Sequence, residues 1–305
     1  MTQVTRSRAG SATSRAGSRF WRNKTPYIGV IPFLLFSGVF LLFPTFSVIS
    51  GAFKDSNNNF STTILRETLK SEITRGAFMN SLEISFKTSI AGAILGGLFA
   101  WALVTGKKNG FFYRISVALS SVLAQFGGVM LTFAFLATFG FNGIVSTLAI
   151  KFASGSFLAD SAWLYEINGL MVLYTFFQIP LMVLVFLPTI ENLRPHWREA
   201  SDSLGGNSAE YWFRVGIPVL TPSFVGATLL LFVNSFSAYA TAATLINLSS
   251  FITPLHIASA LSSELGTANP AEAKSLALLM IVVVTIAMAL YALLRRKVSK
   301  WENTR

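Results

Sequence analysis

The side chains able to do chemistry are few, and their spacing argues against a reaction carried out by this chain. His196 and His256 are the only histidines, sixty residues apart, and there is no cysteine. That removes thiolate nucleophiles, disulfides and clustered Cys or His metal ligands. No Gly-x-x-x-x-Gly-Lys-Ser/Thr loop occurs, since Gly106-Lys107 lacks the upstream glycine, so nucleotide is not bound by that route. No Ser-His-Asp grouping or intramembrane pair of carboxylates is present. Intramembrane enzymes and ion-coupled carriers bury ionisable groups or broken-helix ion sites. Two polar stretches remain. Asn234-Ser235-Phe236-Ser237-Ala238-Tyr239-Ala240-Thr241 places five polar groups within about two helical turns. The other runs from Glu199 through Gly205-Gly206-Asn207 to Pro218.

The elements that must position these stretches are membrane helices. The chain is 52% hydrophobic and 12% charged, against about 25% charged in a soluble domain. Residues 1–26 form a basic tail with Arg6, Arg8, Arg15, Arg19, Arg22 and Lys24 and no acid. Such a segment cannot bury a core and either attracts anionic lipid or is a solvated tail. Thr25–Phe53 carries no charge, longer than the apolar core of a signal peptide, and reads as a first span over 27–49. A polar external segment, 50–79, leads to Asn80-Ser81-Leu82 and a second span. Within it Glu83 and Lys87 share a helix face, and Gly92 and Gly96 let helices approach closely. A third span is expected over 115–138, broken off at Gly140-Phe141-Asn142-Gly143, and a fourth over 168–187 with Pro180 as a packing kink or a hinge.

The uncharged run 215–263 is long enough for two spans. We read one, over 219–246, followed by an external amphipathic segment at 251–265, because Arg295-Arg296-Lys297 after the last span (275–293) is a cytoplasmic anchor. Six spans with both ends inside result, the core being 80–295 and the C-terminal tail 296–305. The four cytoplasmic segments then hold 17 basic and five acidic residues, against six and seven outside. The net charge of +11 therefore belongs to topology rather than to nucleic acid.

In the second polar stretch, Pro195 suits a first helical turn and Trp197, Ala200 and Leu204 recur at helical steps. A short helix over 194–204 is expected, ended by Gly205-Gly206, with Asn207 and Glu210 as a capping box for a second helix that Pro218 stops. Trp197, Tyr211, Trp212 and Phe213 are taken as an exposed aromatic face of the kind that marks a protein interface. Residues 207–216 offer one Arg and one Glu, too little basic surface for a helix-turn-helix DNA reader.

Glu199, Ala200, Gly205, Val215 and Pro218 fall on the positions of a loop that reads Glu-Ala-Ala, three residues, Gly, about nine residues, an aliphatic residue, two residues, Pro; Ser201 replaces the second Ala. On these residues the chain resembles binding-protein-dependent ABC importer permeases over about 80–295. The resemblance implies an all-α integral membrane protein of a bacterial inner membrane with a cytoplasmic coupling helix between spans 4 and 5. It implies that Glu199, Ala200, Ser201, Gly205, Gly206, Trp212 and Pro218 form the loop that docks on an ABC ATPase subunit. Glu199 would either pair with a basic residue there or cap local backbone donors. Implied partners are the ATPases (which bind ATP and Mg, this chain holding no cofactor), a second permease subunit and an extracytoplasmic solute-binding protein. Asn234–Leu245 and Asn269-Pro270-Ala271 look closer to polyamine, aminoethylphosphonate, thiamine and iron importers than to the sugar branch. The alternatives are a sugar-importer permease and a membrane scaffold or export component. Gln125, Gln178, Asn234, Ser235, Ser237 and Tyr239 are the candidates for the translocation path, each equally suited to an interhelical hydrogen bond.

Overall fold

The computed structural model describes residues 25–54, 59–106, 110–152, 161–246, 252–262 and 269–303. The basic residues of 1–24, Lys107, Lys108, Asn247, Ser249 and Ser250 lie outside them. Among the described residues the chain is helical, with one isolated bridge between Lys54 and Phe60. It divides into two units, Met1–Gly51 and Ala52–Arg305.

The first unit contains α1 (Thr25–Ser37), a π-turn over Gly38–Leu42, and the start of α2 (Phe43–Ala52). Its large apolar side chains from Val30 to Phe46 are all exposed within the chain, and a helix apolar on every side suits lipid.

In the second unit, α3 (Thr63–Lys70) ends at Ser71, whose hydroxyl caps α4 (Glu72–Thr105) by accepting from the Thr74 amide. The helix α4 starts eight residues before Asn80 and runs unbroken for 34 residues. Its small residues face α8 (Ile167–Glu191). A Cβ added at Gly92 would lie 2.6 Å from the Gln178 Cβ, and one at Gly96 2.6 Å from both the Ile179 carbonyl oxygen and the Met182 Cβ. The small-residue stripe thus packs two helices of one chain together. Glu83 and Lys87 do pair, but both are more than half exposed, where such a pair is worth little.

Among the described residues six helical stretches are long and apolar enough to cross a membrane: Val30–Ala52, Glu72–Thr105, Gly128–Phe152, Ile167–Glu191, Ser208–Phe236 and Pro270–Leu294. Three sequence expectations need correction. The third span, expected to be continuous over 115–138, is two helices, α5 (Phe111–Gln125) and α6 (Gly128–Phe139). Gly128 at φ +65° makes the break, a conformation open to glycine at no steric cost. After Gly140–Gly143 the chain forms α7 (Ile144–Phe152).

The fifth span, expected over 219–246, stops at Phe236, and residues 237–239 separate it from a further short helix, Ala240–Leu245. Pro218 does not stop the preceding helix either. Helix Ser208–Tyr211 passes through a π-turn at Trp212–Gly216 straight into Ile217–Phe236, with the Ile217 amide donating to the Trp212 carbonyl. Widening the turn by one residue accommodates the ring and missing N–H of a proline. The same device precedes Pro44, where the Phe43 amide donates to the Gly38 carbonyl.

The segment expected as external and amphipathic at 251–265, of which 251 and 263–265 lie outside the described residues, contains a helix over Thr253–Leu261 that packs on α4 and on the last helix, Pro270–Asn303. Its start is buried: the Thr253 amide donates to Ser81 Oγ at 2.8 Å. Apolar burial is concentrated in two clusters. One gathers Ile84, Leu131, Leu173, Tyr174, Phe177 and Leu245; the other gathers Ala93, Leu103, Met182, Phe186, Leu220 and Leu231.

Candidate functional site

The loop between the fourth and fifth long helices is an elbow built from local rules. The helix α9 (Pro195–Ser203) has proline in its first turn and no buried residue. It closes through Gly205 at φ +79°, with the Gly206 amide donating to the Ser201 carbonyl at 2.9 Å. A Cβ at Gly206 would sit 2.7 Å from Ser201 Oγ and 3.0 Å from the Ser201 carbonyl oxygen, so the turn closes tightly on the end of α9. Next, α10 (Ser208–Tyr211) opens on a complete capping box. The Glu210 amide donates to Asn207 Oδ1 at 2.9 Å, and the Asn207 amide donates to Glu210 Oε2 at 3.2 Å. Arg198 reaches across the elbow to Ser208 Oγ at 3.4 Å.

Glu199, Ala200, Leu204 and Gly205 are exposed, Leu204 to 89%. Among the described residues the Glu199 carboxylate has no hydrogen-bond or salt-bridge partner, so it is not spent on capping. Its main-chain carbonyl accepts from Ser203 Oγ at 2.8 Å. The aromatic face is smaller than the composition suggests. Phe213 is 72% exposed, but Tyr211 is buried, and Trp212 lies edge-on to Trp101 with ring centroids 6.0 Å apart. Trp212 therefore packs the elbow onto α4 instead of offering a docking surface. Replacing Asn207 with alanine is expected to cost ~1 kcal/mol of local stability, read as faster limited proteolysis between residues 204 and 211.

The six polar span residues separate into two sets. Gln178 and Ser235 are buried in an interhelical chain: Gln178 Nε2 donates to Thr88 Oγ1 at 3.0 Å, and the Thr88 and Ser235 hydroxyls are hydrogen-bonded to each other at 3.0 Å. Gln125, Asn234, Ser237 and Tyr239 are exposed. The residues that sequence reasoning missed are Thr88 and Tyr174. Tyr174 stands one turn before Gln178 and donates to the Ala238 carbonyl at 2.6 Å, a spacing that marks it as sharing Gln178's helix face.

A second polar cluster ties the start of α4 to the last helix. His256 Nε2 lies 3.2 Å from Glu272 Oε1, Thr74 Oγ1 donates to the same oxygen at 3.3 Å, and the Glu272 amide donates to Asn269 Oδ1 at 3.2 Å. No group of three His, Cys, Asp or Glu able to hold a metal occurs among the described residues.

This geometry has known counterparts. No sequence family profile matches the chain. It is 24% identical over 204 residues to the putative ferric transport system permease protein FbpB 1 of Haemophilus influenzae, covering 66% of this chain and 31% of that protein. It is 28% identical over 168 residues to the sulfate transport system permease protein CysT of Escherichia coli, covering 53% and 56%. The chain thus spans about a third and about half of the lengths of these relatives. Among solved structures it matches a bacterial ABC transporter involved in import of the acidic polysaccharide alginate, with a TM-score of 0.65 at 15% identity over 93% of this chain and 99% of that one. A complex of the bacterial alginate ABC transporter with an alginate pentasaccharide-bound periplasmic protein gives a TM-score of 0.69 at 14% identity, covering 92% and 96%.

The architecture is that of an ABC importer permease. The chain is a multi-pass bacterial inner-membrane protein related to permeases of the ferric and sulfate type. These relatives are named for ferric and sulfate cargo rather than for polyamine or aminoethylphosphonate.

Proposed function

We propose that this chain is the transmembrane subunit of an ATP-driven, binding-protein-dependent importer, forms half of its translocation path and docks on a separate ATPase through residues 194–213. The observation that carries the reading is the elbow. It is a nine-residue helix with no buried residue, displaying an unpartnered carboxylate and a bare leucine, held by two long apolar helices in a fold shared with importer permeases over nearly the whole chain. A rigid exposed helix with an apolar tip is a docking element. The excess of Lys and Arg in this loop and at both ends supports a cytoplasmic elbow with both termini on the same side.

One such subunit supplies half a pore, so a second permease, identical or homologous, completes it. A solute-binding protein delivers cargo from outside, and ATP with Mg acts on the partner subunits. Asn234, Ser237, Tyr239 and Gln125 line the path, their exposure within the single chain leaving them free to face water between two subunits. The cargo is a small polar or charged solute, a class that includes those for which the relatives are named. Affinity purification of the full chain together with its ATPase tests the docking. The pair Glu199→Arg with Leu204→Asp is expected to lose most of the co-purified ATPase; equal recovery with and without the changes would sink the assignment.

A further inference from the structure

The break in the fifth long helix lies inside the bundle. Ser235, one residue before the end of that helix, is bonded to Thr88, at the middle of the 34-residue α4, which is bonded in turn to Gln178, near the middle of the 25-residue α8. Residues 237–239 follow at a depth still flanked by α8, since Ala238 is bonded to Tyr174, seven residues after the start of that helix. Irregular backbone at membrane depth is tolerated only where protein covers it or water reaches it. Here protein covers one side of the break, and the other side is open within the chain. The inner side is sewn down: the hydroxyl of Tyr174, itself 1% exposed, satisfies the Ala238 carbonyl. The Thr132 hydroxyl, which donates to the Gly128 carbonyl at 3.1 Å, also lies 3.4 Å from the Thr241 carbonyl, so that it bridges the two breaks. The other side carries exposed Ser237 and Tyr239.

The break also meets a second one. A Cβ on Gly128, the residue that opens α6 after the interruption of the third span, would touch the Ala240 Cβ at 3.4 Å. Two interrupted helices therefore abut, and the side chains that fix them come from α8 and α6.

We infer that Tyr174 is a positioning residue. Its hydroxyl holds the interrupted backbone at Ala238 so that Ser237 and Tyr239 are presented as a fixed polar surface toward the translocation path. The inference rests on the path reading above, and two readouts keep the two apart. Because the chain has no cysteine, Ser237→Cys can be placed alone and its labelling by a membrane-impermeant thiol reagent followed in the full chain reconstituted in lipid vesicles. Labelling shows that water reaches the surface; absence of labelling in every background overturns the path reading.

Tyr174→Phe keeps the ring and removes only the donor. It is expected to speed amide hydrogen exchange in the peptide covering residues 237–246 by about threefold to tenfold, the range for one lost hydrogen bond. It should also change the Ser237→Cys labelling rate, while exchange in the 195–211 elbow stays as before. Thr132→Val provides a second variant, expected to act on the same peptide through Thr241. Unchanged exchange in 237–246 for both variants would overturn the positioning role whether or not Ser237→Cys is labelled.

Discussion

Replacing Gly205 with glutamate is expected to leave the chain inserted and folded while reducing uptake at least roughly tenfold. The residue sits at φ +79°, where a side chain costs about 1–2 kcal/mol. Nothing lies within 4 Å of the position a Cβ would take, so the penalty comes from the backbone alone and not from a clash. The cheapest response is for the turn to relax. That re-aims α9, because the closing bonds Gly205 N–H to Asp202 and Gly206 N–H to Ser201 depend on the left-handed step. A strain of this size corresponds to about a factor of ten in an equilibrium. ATPase activity of the purified complex and uptake into vesicles, measured on the same preparation, check it. Uptake at the wild-type level would remove the elbow from the coupling route.

The largest effect on stability is expected at Gly96. A leucine there must place its first carbon 2.6 Å from the Ile179 carbonyl oxygen, a backbone atom of α8 with no rotamer to escape through. Overpacking of a tight seam costs about 1–3 kcal/mol and more where nothing can give, so Gly96→Leu is expected to reduce membrane accumulation of the chain severely. Gly38→Leu is the matched control, since a Cβ at Gly38 meets nothing within 4 Å. Immunoblots of membrane fractions and thermal aggregation in detergent distinguish the two. Equal accumulation of both variants would contradict the packing described for α4 and α8.

Much of the elbow was legible in the sequence because its rules are local. Proline at the first turn, a left-handed glycine and an Asn-x-x-Glu capping box each act within a few residues, and the helix over Pro195–Ser203 lies within one residue of the expected limits. The long helices were legible because apolar length is itself the signal. The interruptions were not. Phe126-Gly127 and Ser237–Tyr239 lie inside uncharged stretches, where hydropathy is blind to a backbone that leaves the helix and is tied down by a distant hydroxyl such as that of Tyr174. The aromatic face failed for a related reason. Trp212 reads as exposed in a polar loop, and its partner Trp101 lies more than a hundred residues earlier. Among the polar span residues, composition offered two roles without choosing. It takes Thr88, on another helix, to assign Gln178 and Ser235 to a structural hydrogen-bond chain.

The π-turn at Trp212–Gly216 carries a consequence of a different kind. An α-helix advances about 100° about its axis for each residue, so one residue taken up in a wide turn resets the angular phase of everything on its far side. The azimuth at which the elbow leaves the fifth span therefore depends on the residue count between Tyr211 and Pro218, and the packing of Trp212 on Trp101 holds that phase in place. Deleting a single residue from this turn would keep both helices, their caps and their composition, yet swing the elbow by about a quarter of a revolution.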